Sequence, residues 1–143
     1  RFNVVYDKSA LIYNGHIEAG YNLKEWLRLS VLADINHYQL KTEKRAWHEP
    51  NFKLTLRANY IWKNKISLGL ELYGISASYA KLANGQEAKI KGTADLNISI
   101  EYLFNKHFTF FGTVNNIAHM RYQRWYGYPS YGINGMLGVK FSF

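Results

Sequence analysis

From Leu27 onward, apolar and polar side chains alternate along most of the chain, which is the two-residue period of a β-strand whose two faces meet different surroundings. In the first clear run, Leu29, Val31 and Ala33 share one face, whereas Ser30 and Asp34 share the other. The pattern recurs after each polar or glycine-bearing break. It predicts eight strands, at residues 2–6, 12–21, 27–36, 52–62, 66–73, 94–102, 108–116 and 131–143.

The predicted strands are long, and their connections alternate in length. Strands of soluble proteins cluster near five or six residues, whereas a tilted strand needs about 9–11 residues to cross a bilayer. Short turns are predicted near residues 22–26, 63–65 and 104–106, and long loops near residues 40–51, 80–91 and 118–130. Short turns at one end and long loops at the other are typical of membrane barrels. The prediction is therefore an all-β fold, an antiparallel up-and-down transmembrane β-barrel, with residues 1–143 forming one segment.

Charged side chains within the clearer runs all fall on the polar face. An arginine or lysine that faced lipid at the midplane would cost about 2–4 kcal/mol, which explains why the apolar face has none. A soluble β-sandwich would also keep charge from its inner face, so this observation leaves both folds open. In the barrel interpretation, the side chains predicted to face the lumen are Arg28, Arg57, Glu71, Asp95, Glu101 and Lys140.

Aromatic residues make up 17% of the chain, and many lie at the ends of the predicted strands. Tyr60, Trp62 and Tyr102 lie beside short turns, whereas Trp125 and Tyr128 lie in or near a long loop. Amphipathic rings are stable at the level of lipid headgroups, so these five are predicted to belong to two aromatic girdles. The alternative is that they are ordinary core and loop aromatics.

Composition excludes several classes of protein. With 48% hydrophobic residues, the 143-residue chain is not disordered, and without cysteine it has neither disulfides nor a thiolate zinc site. No run approaches the 18 apolar residues of a membrane helix. The net charge of +8 is divided between both ends of the predicted strands, so no nucleic-acid groove is predicted. The chain starts at Arg1 without a secretory leader, which favours a mature protein or a fragment.

No catalytic or metal-binding pattern is present. The five histidines are dispersed, and neither an H-E-x-x-H sequence nor a phosphate-binding loop occurs. The sequence therefore predicts no enzyme, no cofactor and no metal site.

The carboxyl-terminal third of the chain resembles TonB-dependent receptor-like outer-membrane barrels of the kind abundant in Bacteroidota. The matching segments are 95–98 (DLNI), 101–106 (EYLFNK), 114–117 (VNNI), 121–129 (RYQRWYGYP) and 138–143 (GVKFSF), and 46–50 (AWHEP) looks like a loop-to-strand junction in such proteins. The resemblance implies residence in the cell outer membrane, contact with outer-membrane lipid, and uptake of a nutrient.

The most specific part of the resemblance is the ending, with Val139, Phe141 and Phe143 on one face. It resembles the signal by which the barrel-assembly machinery recognises its clients, since an extended edge with one apolar face suits strand addition. The alternative is that any last strand can end in phenylalanine. In the larger receptors a barrel of about 22 strands encloses a plug. Binding of TonB and of a surface lipoprotein would involve regions that this chain lacks.

Two other interpretations remain open at the level of sequence. The chain could form a small, closed eight-stranded outer-membrane barrel with an anchoring or adhesive role, whose interior is filled by its own side chains. It could also be a soluble lipocalin-like binding protein, with apolar residues lining the cavity and charge outside.

Overall fold

The computed structural model describes residues 7–143, and these residues form an all-β structure. The strands are β1 (Ala10–Lys24), β2 (Leu27–Leu40), β3 (Phe52–Trp62), β4 (Ile66–Ile75), β5 (Ser78–Lys81), β6 (Glu87–Ile90), β7 (Thr93–Leu103), β8 (Phe108–Asn115), β9 (Gln123–Trp125), β10 (Tyr128–Pro129) and β11 (Asn134–Phe141). The strand predicted at residues 2–6 lies outside the described residues. Within residues 7–143 no helix has the length and apolar character needed to cross a membrane.

Seven strands form one antiparallel sheet in the order β1-β2-β3-β4-β7-β8-β11. Each strand pairs with the next long strand along the chain, so the predicted all-β, antiparallel, up-and-down arrangement is confirmed. β1 and β11 form the two edges of this sheet among the described residues. The short strands β5, β6, β9 and β10 lie within connections that the sequence predicts to be loops, because runs of two to four residues are too brief to show a period.

The cross-strand register aligns apolar side chains in rows across the sheet. One row contains Val31, Leu56 and Leu72, and the next contains Leu29, Ala58 and Leu70. We call the side of the sheet that carries these rows the apolar face. The opposite side, the polar face, carries the row of Arg57, Glu71 and Asn97.

The apolar face is not covered by any other part of residues 7–143. Leu56 is 40% exposed, Leu70 47% and Val139 55%. Among the described residues, the buried hydrophobic side chains are Ala80 and Ile90, both in the β5–β6 hairpin. The large apolar side chains of the sheet therefore do not pack into a dry interior.

The two ends of the sheet differ. The short turns, at residues 25–26, 63–65 and 104–107, lie at one end, which we call the short-turn end. The connections of residues 41–51, 76–92 and 116–133 lie at the other end, and we call these three segments together the loop cap. The loop cap positions the candidate site.

Candidate ligand-binding cavity in the loop cap

Ion pairs and backbone hydrogen bonds join the first two segments of the loop cap. Arg45 donates from Nε to the Glu87 carboxylate at 2.9 Å, and its guanidinium carbon lies 3.9 Å from the centre of the Tyr79 ring. The backbone N–H of His48 donates to the carbonyl of Tyr79 at 2.7 Å. Arg45 and His48, in the middle of the segment 41–51, therefore hold that segment against the β5–β6 hairpin.

Asp7 fixes the start of the segment 41–51. Its carboxylate accepts hydrogen bonds from the backbone N–H groups of Lys41, Thr42 and Glu43 at 3.2, 3.0 and 2.9 Å, and from that of Ser9 at 3.1 Å. These bonds, led by the one from Glu43, lower the pKa of Asp7 from 3.8 to about 2 because they favour the charged form. One carboxylate is thus the acceptor for three successive amides at the start of the segment.

Glu43 connects the same segment to β5 through Lys81. The ammonium of Lys81 lies 2.7 and 3.0 Å from the two carboxylate oxygens, and the indole N–H of Trp47 donates to one of them at 3.0 Å. The Glu43 side chain is 15% exposed. The hydrogen bond from Lys81 is the main cause of the lowered pKa of Glu43.

His48 is held in an unusual conformation at the junction of the three segments. Its φ angle is +63°, in the left-handed region that few residues other than glycine adopt, and its ring centre lies 4.7 Å from that of Trp125. Burial lowers the pKa of His48 because it disfavours the charged imidazolium. Strained backbone of this kind concentrates at functional sites.

Asn116 organises the third segment. It is 3% exposed, has a φ angle of +53°, and donates from its amide to the carbonyls of Met120 and Tyr131 at 3.0 and 2.8 Å. Its side-chain oxygen accepts from the N–H of Met120 at 2.9 Å. Its own N–H donates to the side chain of Asn97 at 3.1 Å, which ties the loop cap to the polar face.

An open cavity of about 880 Å³ lies between the segments of the loop cap. Ligand cavities commonly measure about 300–1,000 Å³ and have mostly apolar and aromatic walls. Trp125 and Tyr128 are 61% and 66% exposed, so their rings are available to a ligand. The lining residues with chemistry of interest are Trp47, His48, Lys81, Trp125, Tyr126 and Tyr128.

The charges beside the cavity are already paired. Lys81 is bound to Glu43 and Arg45 to Glu87, whereas Asp7 is satisfied by backbone donors. What the cavity offers a ligand is therefore aromatic surface with a few fixed polar groups. Within residues 7–143 no group of three or more histidine, aspartate or glutamate side chains is placed to hold a metal ion.

The six side chains predicted to face a lumen all lie on the polar face. Arg57 pairs with Glu71 at 2.7 Å, and Glu71 also accepts from Asn97 at 3.2 Å. Lys140 pairs with Glu101 at 2.7 Å. Arg28 lies opposite Asn59, and Asp95 lies opposite Tyr73 near the loop cap. The structure places them on one face, and that this face lines a lumen remains a prediction.

The predicted girdle residues lie in two kinds of surroundings. Tyr60 packs edge-on against Trp26 with ring centres 5.3 Å apart at the short-turn end, and Trp62 and Tyr102 are exposed near the same end. Trp125 and Tyr128 line the loop-cap cavity. Their membership of a girdle remains a prediction.

The residues of the predicted assembly signal lie along and just after the edge strand β11. Val139 lies opposite Phe110, and Phe141 opposite Phe108 with ring centres 5.0 Å apart. The rings of Phe141 and Phe143 are 6.4 Å apart. The role of these residues in assembly also remains a prediction.

Sequence reasoning does not single out Asp7, Glu43 or Asn116. Each forms at least one hydrogen bond to a group 15 or more positions away, namely Asp7 to the amides of residues 41–43, Glu43 to Lys81, and Asn116 to Tyr131, and no local pattern encodes such a partner. The one local signal is that Asn116 is a residue type that tolerates a positive φ angle.

Comparison with solved structures finds the same arrangement of strands in outer-membrane receptors. The ferripyoverdine receptor of the Pseudomonas aeruginosa outer membrane matches with a TM-score of 0.76 at 16% identity, over 92% of this chain and 20% of that one. The ferric-catecholate import receptor Fiu of E. coli K12 gives 0.77 at 18% identity, over 94% and 21%. The FrpB iron transporter of Neisseria meningitidis gives 0.71 at 20% identity, over 92% and 23%.

The chain spans about a fifth of the length of these solved structures. No protein-family model and no curated protein sequence matches it. At these identities the likeness establishes the fold alone: the seven-stranded sheet corresponds to part of a β-barrel wall.

Proposed function

We propose that this chain is part of the wall and of the long-loop end of a TonB-dependent receptor-like barrel, which takes up a nutrient across the outer membrane. The observation that carries the proposal is the exposure of the apolar face. Its leucine and isoleucine side chains are exposed in rows across the seven-stranded sheet, while the charged side chains occupy the opposite face. Hydrocarbon on one side and a polar lumen on the other account for both observations.

Strand length supports a transmembrane position. β1, β2, β3, β4 and β7 contain 15, 14, 11, 10 and 11 residues, at or above the roughly 9–11 that a tilted strand needs to cross a bilayer. Strands of soluble proteins usually contain about 3–10 residues, so most of these strands are longer than is usual there. The same strands end in short turns on one side and in the loop cap on the other, as in outer-membrane barrels.

The loop-cap cavity supports uptake rather than a purely structural role. It has the volume of a ligand site, exposed aromatic rings, and a strained residue, His48, at its junction. Because the nearby cations are paired, we expect the ligand to be held by stacking on Trp125 and Tyr126 more than by net charge. The solved structures with this fold include import receptors for iron complexes, which makes such complexes the first probes to use.

The proposed partners follow from the same arrangement. Outer-membrane lipid would cover the apolar face, and the barrel-assembly machinery would recognise Val139, Phe141 and Phe143 on and after β11. TonB and a surface lipoprotein would bind regions of the polypeptide outside residues 1–143.

Iron uptake by cells tests the proposal. The complete barrel that contains this chain is expressed in an outer membrane, and uptake of radiolabelled iron is measured from a panel that includes ferric catecholate and ferripyoverdine. Changing Trp125 and Tyr126 together to alanine is expected to lower uptake at least tenfold without lowering the amount of barrel in the membrane. Tyr131→Ala is the matched control, because Tyr131 is an exposed loop-cap tyrosine outside the cavity lining. A barrel found in the inner membrane or in the soluble fraction would contradict the proposal.

A further inference from the structure

The apolar face contains an open groove of about 480 Å³ across the middle of the sheet, which on β1 and β2 approaches the short-turn end. It crosses β1 to β4 and reaches β7. In one row Ala58 lies between Leu29 and Leu70, so the short alanine side chain leaves a depression between two longer ones. The surface of the groove is almost entirely apolar, and its volume is within the range of small-molecule sites.

In the proposed membrane position the groove lies at the depth of lipid acyl chains, and along β1 and β2 it extends toward the short turns. Tyr21 at its edge is three residues from Lys24, and Ala58 is five residues from Lys63. At 3.3–3.4 Å per residue, the groove starts about 10–17 Å from these turn residues. Tyr60 lies on β3 between the groove and the turns, and its ring packs against that of Trp26 in the first turn with centres 5.3 Å apart.

The turns that border this end of the groove are basic. Lys24, Lys63 and Lys65 are exposed, and the acidic residue in these two turns is Glu25. None of the three lysines forms an ion pair within residues 7–143. The two turns are neighbours at the end of the sheet, because β2 and β3 are adjacent strands.

We propose that this surface binds one phospholipid of the leaflet at the short-turn end, with an acyl chain in the groove and the phosphate beside Lys63 and Lys65. The inference rests on the proposed function, since it requires the apolar face to be in a membrane. A phospholipid joins an anionic group and a hydrocarbon chain in one molecule. The surface has a basic rim and, about 10–17 Å from it, an apolar groove, which is within the reach of one acyl chain. Charge complementarity at the rim therefore selects a phospholipid over a second protein.

Native mass spectrometry of the complete barrel tests this site. The barrel is purified from nanodiscs of phosphatidylglycerol or of phosphatidylcholine, and retained lipid is counted. Ala58→Leu, which fills the groove, is expected to remove the retained lipid of both kinds. Changing Lys63 and Lys65 together to glutamine is expected to remove the preference for phosphatidylglycerol over phosphatidylcholine. Each lysine is expected to contribute about fivefold to that preference.

Matched control variants are available at the opposite end of the sheet. Ala94→Leu changes an exposed apolar-face alanine outside the groove, and Lys89→Gln with Lys91→Gln removes two exposed cations of the β5–β6 region. Neither control is expected to change lipid retention. If Ala58→Leu does not assemble, Ala19→Leu fills the same groove from β1.

Three outcomes would overturn the inference. Unchanged retention in an assembled Ala58→Leu barrel would show that the groove is not the site. A lower oligomeric mass in that variant would show that a second copy, rather than lipid, occupies the groove. An equal loss of retained lipid in the Ala94→Leu control would show that lipid retention does not depend on this groove. Failure of the unaltered barrel to reach the outer membrane would instead contradict the proposed function.

Discussion

Leu70→Arg is expected to block assembly of the barrel in the membrane. Leu70 lies on the apolar face of β4, opposite Ala58 on β3 and Ile98 on β7, and it is 47% exposed. No described acidic side chain shares the rows around it, because the carboxylates of these strands lie on the polar face. An arginine at this position would point into hydrocarbon without a counter-charge.

The size of the expected effect depends on how deep Leu70 lies in the membrane. Leu70 is four residues from one end of β4 and five from the other, about 13 and 17 Å along the strand. With a strand tilt of about 40°, these lengths become about 10 and 13 Å across the membrane, so Leu70 lies near the middle of an apolar band about 25 Å tall. Arginine there costs about 2–4 kcal/mol, which corresponds to a loss of about 30-fold to 1,000-fold in the equilibrium for insertion.

Ser99→Arg provides the matched control. Ser99 follows Ile98, the β7 partner of Leu70, so it has the same depth, but its side chain lies on the polar face opposite Gly69. The amount of folded barrel in outer-membrane fractions, measured as the heat-modifiable band on unboiled gels, is expected to fall for Leu70→Arg and to stay near the unaltered level for Ser99→Arg. Equal yields of the two variants would refute the assignment of the faces.

Three further predictions concern the loop cap, a close backbone contact and the edge strand. Backbone hydrogen bonds lower the pKa of Asp7 from 3.8 to about 2. The contribution of Asp7 to loop-cap stability is therefore present above pH 3.8 and is lost as the pH falls through about 2. Asp7→Asn is expected to weaken the loop cap at neutral pH too, which is measured as faster proteolysis within residues 41–51. Gly92→Ala is expected to destabilise the barrel by about 1–3 kcal/mol in thermal unfolding, because the added Cβ would lie 2.7 Å from the Ile75 carbonyl oxygen. Deleting Phe143 is expected to lower the yield of assembled barrel severalfold, measured in the same membrane fractions.

Each of these predictions has a control at a comparable position. Glu25→Gln, at the short-turn end, is expected to leave proteolysis of the loop cap unchanged. Gly15→Ala adds a Cβ that meets no atom closer than 3.9 Å and is expected to leave the unfolding temperature nearly unchanged. Ser142→Ala keeps the aromatic ending and is expected to assemble normally. A variant that behaves like its control would contradict the corresponding argument.

The long strands could be predicted from sequence because each has two unlike faces. Leu54, Leu56 and Ala58 alternate with Thr55 and Arg57. The structure pairs Leu56 with Val31 and Leu72, and Arg57 with Ser30 and Glu71, so the two faces stay distinct across the strands. The two-residue period alone does not give the order of strands in the sheet. Strands that follow one another along the chain usually pair, so the sequence order predicts the order in the sheet.

The loop cap could not be predicted in the same way. Its order depends on Asp7 accepting hydrogen bonds from amides 34–36 positions away, and on His48 and Asn116 adopting positive φ angles. The structure places the Trp125 ring against His48 in the cavity, a contact that its position in a predicted loop does not reveal. Interactions at long sequence separation leave no periodic trace in the chain.

The open margins of the sheet have a practical consequence for anyone who produces this segment by itself. The outer side of β1 presents 15 residues of backbone without a neighbouring strand among the described residues, and β11 does the same at the other margin. Amide and carbonyl groups left in this state act as templates for another copy. Residues 1–143 made in isolation should therefore associate edge to edge into ribbons, whereas in the proposed larger barrel neighbouring strands would satisfy these groups within one molecule.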